Sequence, residues 1–134
     1  MRNFVLDASA AVEYVQKGRG SVKVEQLLTD ALRQHSRLSI SAVNLAEVFY
    51  LAWQRVGEEK ARWTIANFSR LPLQIVGVDL SQALKAGELK AVHKIPYVDC
   101  IAAALAIQQS ATLVTSDRDF EKMGRHFPVL WLSR

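Results

Sequence analysis

Short apolar runs alternate along the chain with longer segments whose apolar residues recur every three or four positions. The short runs predict buried strands, and the longer segments, such as the one carrying Val24, Leu27 and Leu28, predict amphipathic helices. Strands are predicted at residues 4–6, 38–40, 73–78, 112–115 and 129–132. Helices are predicted from about residue 10 and at residues 22–35, 42–56, 58–71, 81–93, 97–108 and 120–124.

The alternation of strands and helices predicts an α/β fold in which helices cover both faces of a central, mainly parallel sheet. In such folds ligands bind beyond the carboxyl ends of the strands. Asp7 and Asp117 lie just past the ends of predicted strands, which distinguishes them from the other acids. This edge of the sheet is therefore the predicted position of the functional site.

Length and composition predict one ordinary folded domain over residues 1–134. Cys100 is the only cysteine, so no disulfide can form within the chain, and a reducing, cytoplasmic compartment is expected. No membrane span is expected, because the longest uncharged apolar stretch, residues 100–107, is far shorter than the roughly 20 residues that a span needs. Asp7 interrupts the first apolar run, which argues against a signal peptide.

Acidic residues recur in four short patterns near predicted strand ends and helix starts. In chain order these are Leu6-Asp7-Ala8-Ser9, Asn44-Leu45-Ala46-Glu47, Tyr97-Val98-Asp99 and Thr115-Ser116-Asp117-Arg118-Asp119-Phe120. Asn44 and Glu47 are three residues apart and therefore share one face of a helix. Asp99 opens an alanine-rich helix whose small side chains allow close packing.

The first two patterns also have ordinary structural explanations. Asp7 or Ser9 would cap the helix that follows. The spacing of Asn44 and Glu47 is that of a capping box, in which Glu47 reaches back to a backbone amide. Taken singly, each of these alternatives stays open.

The later acids have similar alternatives. The helix dipole favours Asp99 in a first turn whatever its function. Asp117 and Asp119 are also typical of a turn and a helix cap. Asp79 ends a predicted strand beside a helix start but has no partner pattern around it, so it is predicted to be only a cap.

Taken in this order and spacing, the four patterns resemble those of the PIN domain. The chain is similar over essentially its whole length to the toxin nucleases of bacterial and archaeal VapBC-type toxin–antitoxin pairs. The resemblance implies a PIN-like three-layer α/β/α fold and a ribonuclease that cleaves RNA phosphodiester bonds with Mg²⁺ or Mn²⁺. It also implies two partners, a small antitoxin protein and a second copy of the chain in a homodimer.

Carried over position by position, the resemblance assigns the metal-binding and catalytic pocket to four acids, namely Asp7, Glu47, Asp99 and Asp117. Supporting residues by the same resemblance are Ser9, Asn44 and Thr115, with Asp119 as a further ligand or an outer contact. Carboxylates without a Cys or His cluster favour a hard cation, Mg²⁺ or Mn²⁺, over zinc. Whether one ion or two would bind stays open.

The charge of the chain suggests a polyanionic partner. There are 17 Lys and Arg against 13 Asp and Glu, and setting the four pocket acids aside leaves nine acids. The remaining surface, at about +8, would attract a phosphate backbone. Lys17, Arg19 and Arg118 are the candidate RNA contacts, although an ordinary basic protein with solvated charges would show the same excess.

Three other functions compete with the toxin nuclease. A phosphoaspartyl enzyme would need an acidic pair at the first strand, where Asp7-Ala8-Ser9 has a single acid. A catalytically silent PIN-like RNA-binding module would not need all four pocket acids. A housekeeping nuclease would have the pocket but no antitoxin.

Aromatic residues crowd the two central predicted helices, and they have two interpretations. These are Phe49, Tyr50, Trp53, Trp63 and Phe68. Most of them belong to the core if the helices simply bury one face. The alternative is that the helices around Phe49, Trp53 and Trp63 form an apolar groove for an inhibitory partner whose arginine or lysine enters the acid pocket.

Overall fold

The computed structural model describes residues 1–132. The strands are β1 (Arg2–Leu6), β2 (Ser36–Ser41), β3 (Gln74–Val76), β4 (Thr112–Thr115) and β5 (Val129–Trp131). The α-helices are α1 (Ala8–Val15), α2 (Ser21–Leu32), α3 (Ala42–Val56), α4 (Glu58–Phe68), α5 (Leu80–His93) and α6 (Tyr97–Gln108). A 3₁₀ helix, Arg118–Met123, connects β4 to β5.

The strands form one sheet in the order β3-β2-β1-β4-β5, and every pairing is parallel. The predicted central parallel sheet is therefore confirmed. The chain moves outward from β1 through β2 to β3 and then returns to place β4 on the other side of β1. This reversal makes the carboxyl ends of β1 and β4 the switch point at which α/β sheets bind ligands.

Helices pack on both faces of the sheet, which makes the fold a three-layer α/β/α structure. Successive residues of a strand point to opposite faces, so Phe4 and Leu6 enter a core with α1, α2 and α3. Val5 enters the second core, which is filled largely by α6. Residues 100–106 of α6 are all buried, because its alanines let the helix lie close against the sheet.

The boundaries of several elements differ from the sequence prediction. The first helix begins at Ala8 because Asp7 caps it, and the second ends at Leu32, before Gln34 takes a left-handed φ of 62°. The short helix predicted at residues 120–124 is the 3₁₀ helix, which begins earlier, at Arg118. Within residues 1–132, no helix is both long and apolar enough to cross a membrane.

Candidate metal centre and active site

Asp7 stands at the end of β1 and both caps a helix and faces the site. Its side chain is almost fully buried, with 2% of its surface exposed. Its Oδ1 accepts hydrogen bonds from the backbone N–H of Ala10 (2.9 Å) and from Ser9 Oγ (2.7 Å). Its Oδ2 accepts one from Thr115 Oγ1 (2.5 Å). The predicted cap is confirmed, yet it does not exclude a site role, because the same carboxylate lines the pocket described below.

The two hydroxyls next to Asp7 also hold the turn that follows β4. Ser9 Oγ accepts a hydrogen bond from the backbone N–H of Ser116 (3.0 Å), and Thr115 Oγ1 accepts one from that of Asp117 (2.9 Å). Each hydroxyl therefore accepts from the turn and donates to Asp7. The ends of β1 and β4 are fixed to each other by this network, although their residues are more than 100 positions apart.

Asp99, Asp117 and Asp119 form a second group. One carboxylate oxygen from each lies within 4.8 Å of the others, close enough to share a cation. Asp117 also caps the 3₁₀ helix by accepting a hydrogen bond from the backbone N–H of Asp119 (2.9 Å). The predicted turn and cap role of Asp117 is thus confirmed, and it brings Asp119 toward Asp99.

The alternative that Asn44 and Glu47 form a capping box is wrong. The N-cap of α3 is Ser41, whose backbone is still extended (φ −69°, ψ 141°) and whose Oγ accepts a hydrogen bond from the N–H of Val43 (3.2 Å). Asn44 lies inside the helix, 1% exposed, and its Nδ2 donates to the backbone carbonyl of Val98 (3.1 Å). This bond ties α3 to the first turn of α6, directly before Asp99.

Two buried oxygen atoms at this junction have no hydrogen-bond partner among the described residues, Asn44 Oδ1 and Glu47 Oε1. Buried polar oxygens are normally satisfied. A cation or its bound water would satisfy a carboxylate oxygen that lies without a partner beside other carboxylates.

One open pocket of about 180 Å³ collects four of the predicted acids. It is lined by Asp7, Ala8, Ser9, Val12, Glu47, Leu51, Asp99 and Asp117. Asn44 and Thr115 are buried behind this wall. Since a water molecule takes up roughly 30 Å³ in the liquid, the pocket has room for an ion with several waters.

Burial and mutual repulsion disfavour the charged form of these acids. Burial raises the pKa of Asp7 to about 6, although its hydrogen bonds oppose the rise. Burial, followed by repulsion from Asp117, Asp7 and Glu47, raises the pKa of Asp99 to about 7. Burial also raises the pKa of Glu47, and the Asn44 side chain offsets part of this rise. A cation in the pocket would reverse the effect on all three.

The donor set fits a hard divalent cation. The polar side chains that line the pocket are four carboxylates and the Ser9 hydroxyl, and no Cys or His belongs to the acidic group in the described part of the chain. Mg²⁺ and Mn²⁺ prefer such ligands, whereas zinc prefers sulfur and imidazole nitrogen. The unsatisfied Glu47 Oε1 gives the fit independent support.

The basic residues predicted to contact RNA do not line this pocket, although Arg118 directly follows Asp117 in the chain, and their RNA role stays a prediction. Lys17 is exposed at the end of α1 and lines a different pocket with Tyr14 and Trp63. Arg19 is exposed in the loop after α1. The guanidinium of Arg118 lies 4.4 Å from the centre of the Trp131 ring.

One charged neighbour of the acidic group was absent from the sequence prediction. Lys122 Nζ lies 4.0 Å from Asp119 Oδ1. The three-residue spacing of Asp119 and Lys122 is a signal that could have identified it, provided that the segment had been recognised as helical from Arg118 onward.

Asp79 behaves as predicted, since it caps α5 by accepting a hydrogen bond from the N–H of Gln82 (2.8 Å). It does not line the acid pocket.

Comparison with known proteins identifies the family. The family model of the PIN domain matches residues 4–126, which include all four predicted pocket acids. The chain belongs to the PIN domain family. No curated protein matches this PIN domain significantly.

Solved structures of toxin–antitoxin proteins have the same fold. VapBC from Salmonella typhimurium bound to DNA is 21% identical with a TM-score of 0.77, covering 98% of this chain and 99% of that one. VapBC2 from Rickettsia felis with a promoter DNA fragment is 21% identical with a TM-score of 0.76, covering 96% and 97%. Mycobacterium tuberculosis VapC20, a toxin that cleaves the sarcin–ricin loop, is 18% identical with a TM-score of 0.72, covering 90% and 95%. The PIN domain therefore has a VapC-like fold with a cluster of acidic residues.

Proposed function

We propose that this PIN domain is a Mg²⁺- or Mn²⁺-dependent ribonuclease. The observation that carries the proposal is the grouping of the Asp99, Asp117 and Asp119 carboxylates within 4.8 Å, with the unpartnered Glu47 Oε1 buried in the same pocket wall. Its position at the switch point of the sheet supports it further. The structurally similar VapC20 is a toxin that cleaves the sarcin–ricin loop, an RNA element, and this favours RNA as the substrate. Family membership argues against the phosphoaspartyl alternative.

The surroundings of each acid determine its proposed role in the site. Asp99, Asp117 and Glu47 have oxygen atoms available for a cation, with Asp119 as an additional ligand. Asp7 Oδ1 already accepts two hydrogen bonds, whereas Oδ2 accepts one, so a lone pair of Oδ2 remains for the cation or its water. Ser9 and Thr115 orient Asp7, and Asn44 joins α3, which carries Glu47, to the first turn of α6, which carries Asp99.

When bound, a divalent cation would supply a water of lowered pKa as nucleophile and would offset negative charge on the phosphate. The carboxylates would hold the cation, and the Ser9 and Thr115 hydroxyls fix the orientation of Asp7. The apolar Val12 and Leu51 border the pocket.

Cleavage of a fluorophore–quencher RNA by purified protein tests this function. Activity should require Mg²⁺ or Mn²⁺, disappear with EDTA, and fall at least about 100-fold in Asp99→Asn, since even partners of metal ligands are worth about 10- to 100-fold. The matched control is Asp79→Asn, another acid near a strand end, which should cut at the wild-type rate. Metal-independent cleavage, or full activity of Asp99→Asn, would contradict the proposal. A well-folded protein that binds RNA but cuts none would favour the silent binding module instead.

We further propose that the nuclease is a toxin held inactive by a small antitoxin. Several structures of similar fold are toxin–antitoxin complexes, from Rickettsia felis, Salmonella typhimurium and nontypeable Haemophilus influenzae among others. The supporting feature in this chain is a groove that continues the acid pocket. Val12 and Leu51 border both the acid pocket and the next cleft between α1 and α3, and Val15 and Thr64 border that cleft and a third one.

The third cleft differs from the groove predicted from the sequence. Trp63, 70% exposed, lines it together with Tyr14 and Phe68. Phe49 and Trp53 do not line it, because their rings pack against each other at 5.6 Å and the Arg62 guanidinium covers both. Of the five aromatic residues only Phe68 is buried, so the alternative that most of them are core is wrong.

An antitoxin segment in this groove would place apolar side chains along α1 and α4 and an arginine or lysine in the acid pocket. A guanidinium matches paired carboxylate oxygens and would displace the cation. A housekeeping nuclease would have no such occupant. The homodimer expected from the resemblance stays a prediction.

Co-expression with the product of the neighbouring reading frame tests the toxin proposal. The chain alone should arrest growth, the neighbour should relieve it, and replacing the basic residue of the neighbour by Ala should restore toxicity. Trp63→Ala should weaken the complex, whereas the control Trp53→Ala should change it little. A harmless chain whose neighbour does not bind it would refute the toxin role and leave the nuclease intact.

A further inference from the structure

A cluster of basic residues lies beside the acidic group, on elements that the sequence prediction did not connect. We call it the basic rim, and it consists of Lys90, His93, Lys94 and Lys122. Three of these residues end α5 and the fourth belongs to the 3₁₀ helix.

Specific contacts place the rim next to the acids. The ammonium of Lys122 lies 4.0 Å from the Asp119 carboxylate, which is itself within 4.8 Å of Asp99 and Asp117. His93 Nδ1 lies 3.1 Å from the backbone carbonyl of Lys122, and because a carbonyl only accepts, this nitrogen donates the proton. The last turn of α5 is thereby fastened to the 3₁₀ helix that carries Asp119.

Lys90 and Lys94 extend the rim toward the loop before Asp99. Lys90 Nζ donates to the carbonyl of Ile95 (3.3 Å), five residues along the chain. Lys94 takes a left-handed φ of 59° in the turn that ends α5. Neither lysine forms an ion pair with an acid in residues 1–132.

The charge of the rim is largely uncompensated. The one ion pair that the rim forms within residues 1–132, between Lys122 and Asp119, is long at 4.0 Å, and the two side chains are 55% and 46% exposed. Such exposed pairs contribute little to stability, so a competing anion can readily replace the Asp119 carboxylate. A cation in the acid pocket would compete with Lys122 for the Asp119 carboxylate and would weaken this ion pair further.

We propose that the basic rim binds the RNA backbone at phosphates adjacent to the one that is cut. This inference rests on the proposed ribonuclease function. The acid pocket by itself repels RNA, and Lys122, 4.0 Å from Asp119, brings the positive charge of the rim to the edge of the acidic group. Of the residues that the sequence suggested, Lys17 lines the third cleft of the apolar groove instead, and Arg19 is exposed in the loop after α1.

RNA affinity measured by fluorescence anisotropy tests the rim. The parent protein carries Asp99→Asn so that a labelled single-stranded RNA stays intact. The rim variant adds Lys90→Gln, Lys94→Gln and Lys122→Gln. Gln suits position 94, because Gln34 adopts the same left-handed conformation in this chain. The control adds Lys17→Gln, Arg19→Gln and Lys60→Gln, which removes the same number of charges elsewhere, and thermal unfolding verifies that both remain folded.

The rim variant should bind at least about tenfold more weakly, and the slope of log affinity against log salt should fall by about 2, because each lost contact with single-stranded RNA contributes about 0.7. The control should lose clearly less. An equal loss in both variants, or an unchanged rim variant, would overturn the inference while the ribonuclease function stands. If the parent binds no RNA and the wild type cuts none, the proposed function fails and the rim inference fails with it.

Discussion

The two sides of the acid pocket hold their carboxylates in opposite ways. Asp7 is nearly inaccessible, and both of its oxygens accept hydrogen bonds from Ser9, Ala10 and Thr115. Asp99 is only half-buried, and what surrounds it is chiefly other carboxylates, above all Asp117. Hydrogen-bond donors hold the carboxylate of Asp7, whereas the carboxylate of Asp99 is repelled by its neighbours.

This difference separates two ways of raising a pKa. For Asp7 the main cause is burial, which the hydrogen bonds oppose. For Asp99 burial is joined by repulsion from three neighbouring acids. The folded protein alone therefore holds the Asp7 carboxylate in place with hydrogen bonds, whereas the carboxylates around Asp99 repel one another until a cation binds.

Removing the donor side should have the largest effect on stability. Thr115→Val preserves the shape but leaves Asp7 Oδ2 without its hydroxyl donor and the N–H of Asp117 without its acceptor. We expect the free energy of unfolding to fall by about 3 kcal/mol, because hydrogen bonds to charged groups contribute about 1.5–3 kcal/mol. Urea denaturation measures it. Thr112→Val in the same strand, whose hydroxyl makes no hydrogen bond among the described residues, should stay within about 0.5 kcal/mol of wild type. Equal stabilities of the two variants would show that the network is dispensable.

Removing the charge of Asp7 should instead stabilise the metal-free protein. A folded-state pKa of about 6, raised from 3.8, means that stability is full below about pH 4, falls as pH rises to about 6, and stays low above it. The full penalty is about 3 kcal/mol. We expect Asp7→Asn to recover about 2 kcal/mol of it near pH 7.5, because the Thr115 hydroxyl can then accept from the new amide and donate to Ser9, 3.1 Å away.

Urea denaturation in EDTA at two pH values tests this sign. Near pH 3 the gain from Asp7→Asn should vanish, since this lies below both pKa values and the carboxyl is then largely protonated in the folded and the unfolded chain. Asp79→Asn is the control, and it should change little at either pH because Asn caps helices as well as Asp does. A variant that loses stability near pH 7.5 would mean that hydrogen bonding, rather than burial, dominates at Asp7.

The smallest expected effect is a change in pKa, and it compares Asp99 with Asp7 directly. Asp117→Asn removes the second-ranked cause of the raised pKa of Asp99 but only the last-ranked cause for Asp7. We expect the pKa of Asp99 to fall clearly and that of Asp7 to fall less. Carboxyl ¹³C chemical shifts followed through a pH titration report both. Equal changes at the two positions would indicate one coupled cluster instead of two differently organised sides.

Local pattern was sufficient to predict the elements and the edge at which the acids gather. Asp7 and Asp117 follow buried strands, and parallel strands end at the same edge of a sheet. Asp79 could be recognised as a cap because its helix starts at the next residue. The N-cap of α3 could not, because Ser41 and Asn44 are both good caps, and the strand continues as far as Ser41.

The sequence by itself determined which residues bear the chemistry and on which elements they lie, because strand and helix periodicity depends on neighbours within a few positions. Only the tertiary structure decided which groups surround each acid. The donor that fixes Asp7 comes from Thr115, 108 positions away, and the carbonyl that anchors Asn44 comes from Val98 in another helix. It also decided that the Lys122 backbone carbonyl binds His93 beside the acids. The same is true of the contacts of Phe49 and Trp53 with the Arg62 guanidinium. Burial and repulsion depend on distances through space, and these are set when the whole sheet and its two helical layers pack together.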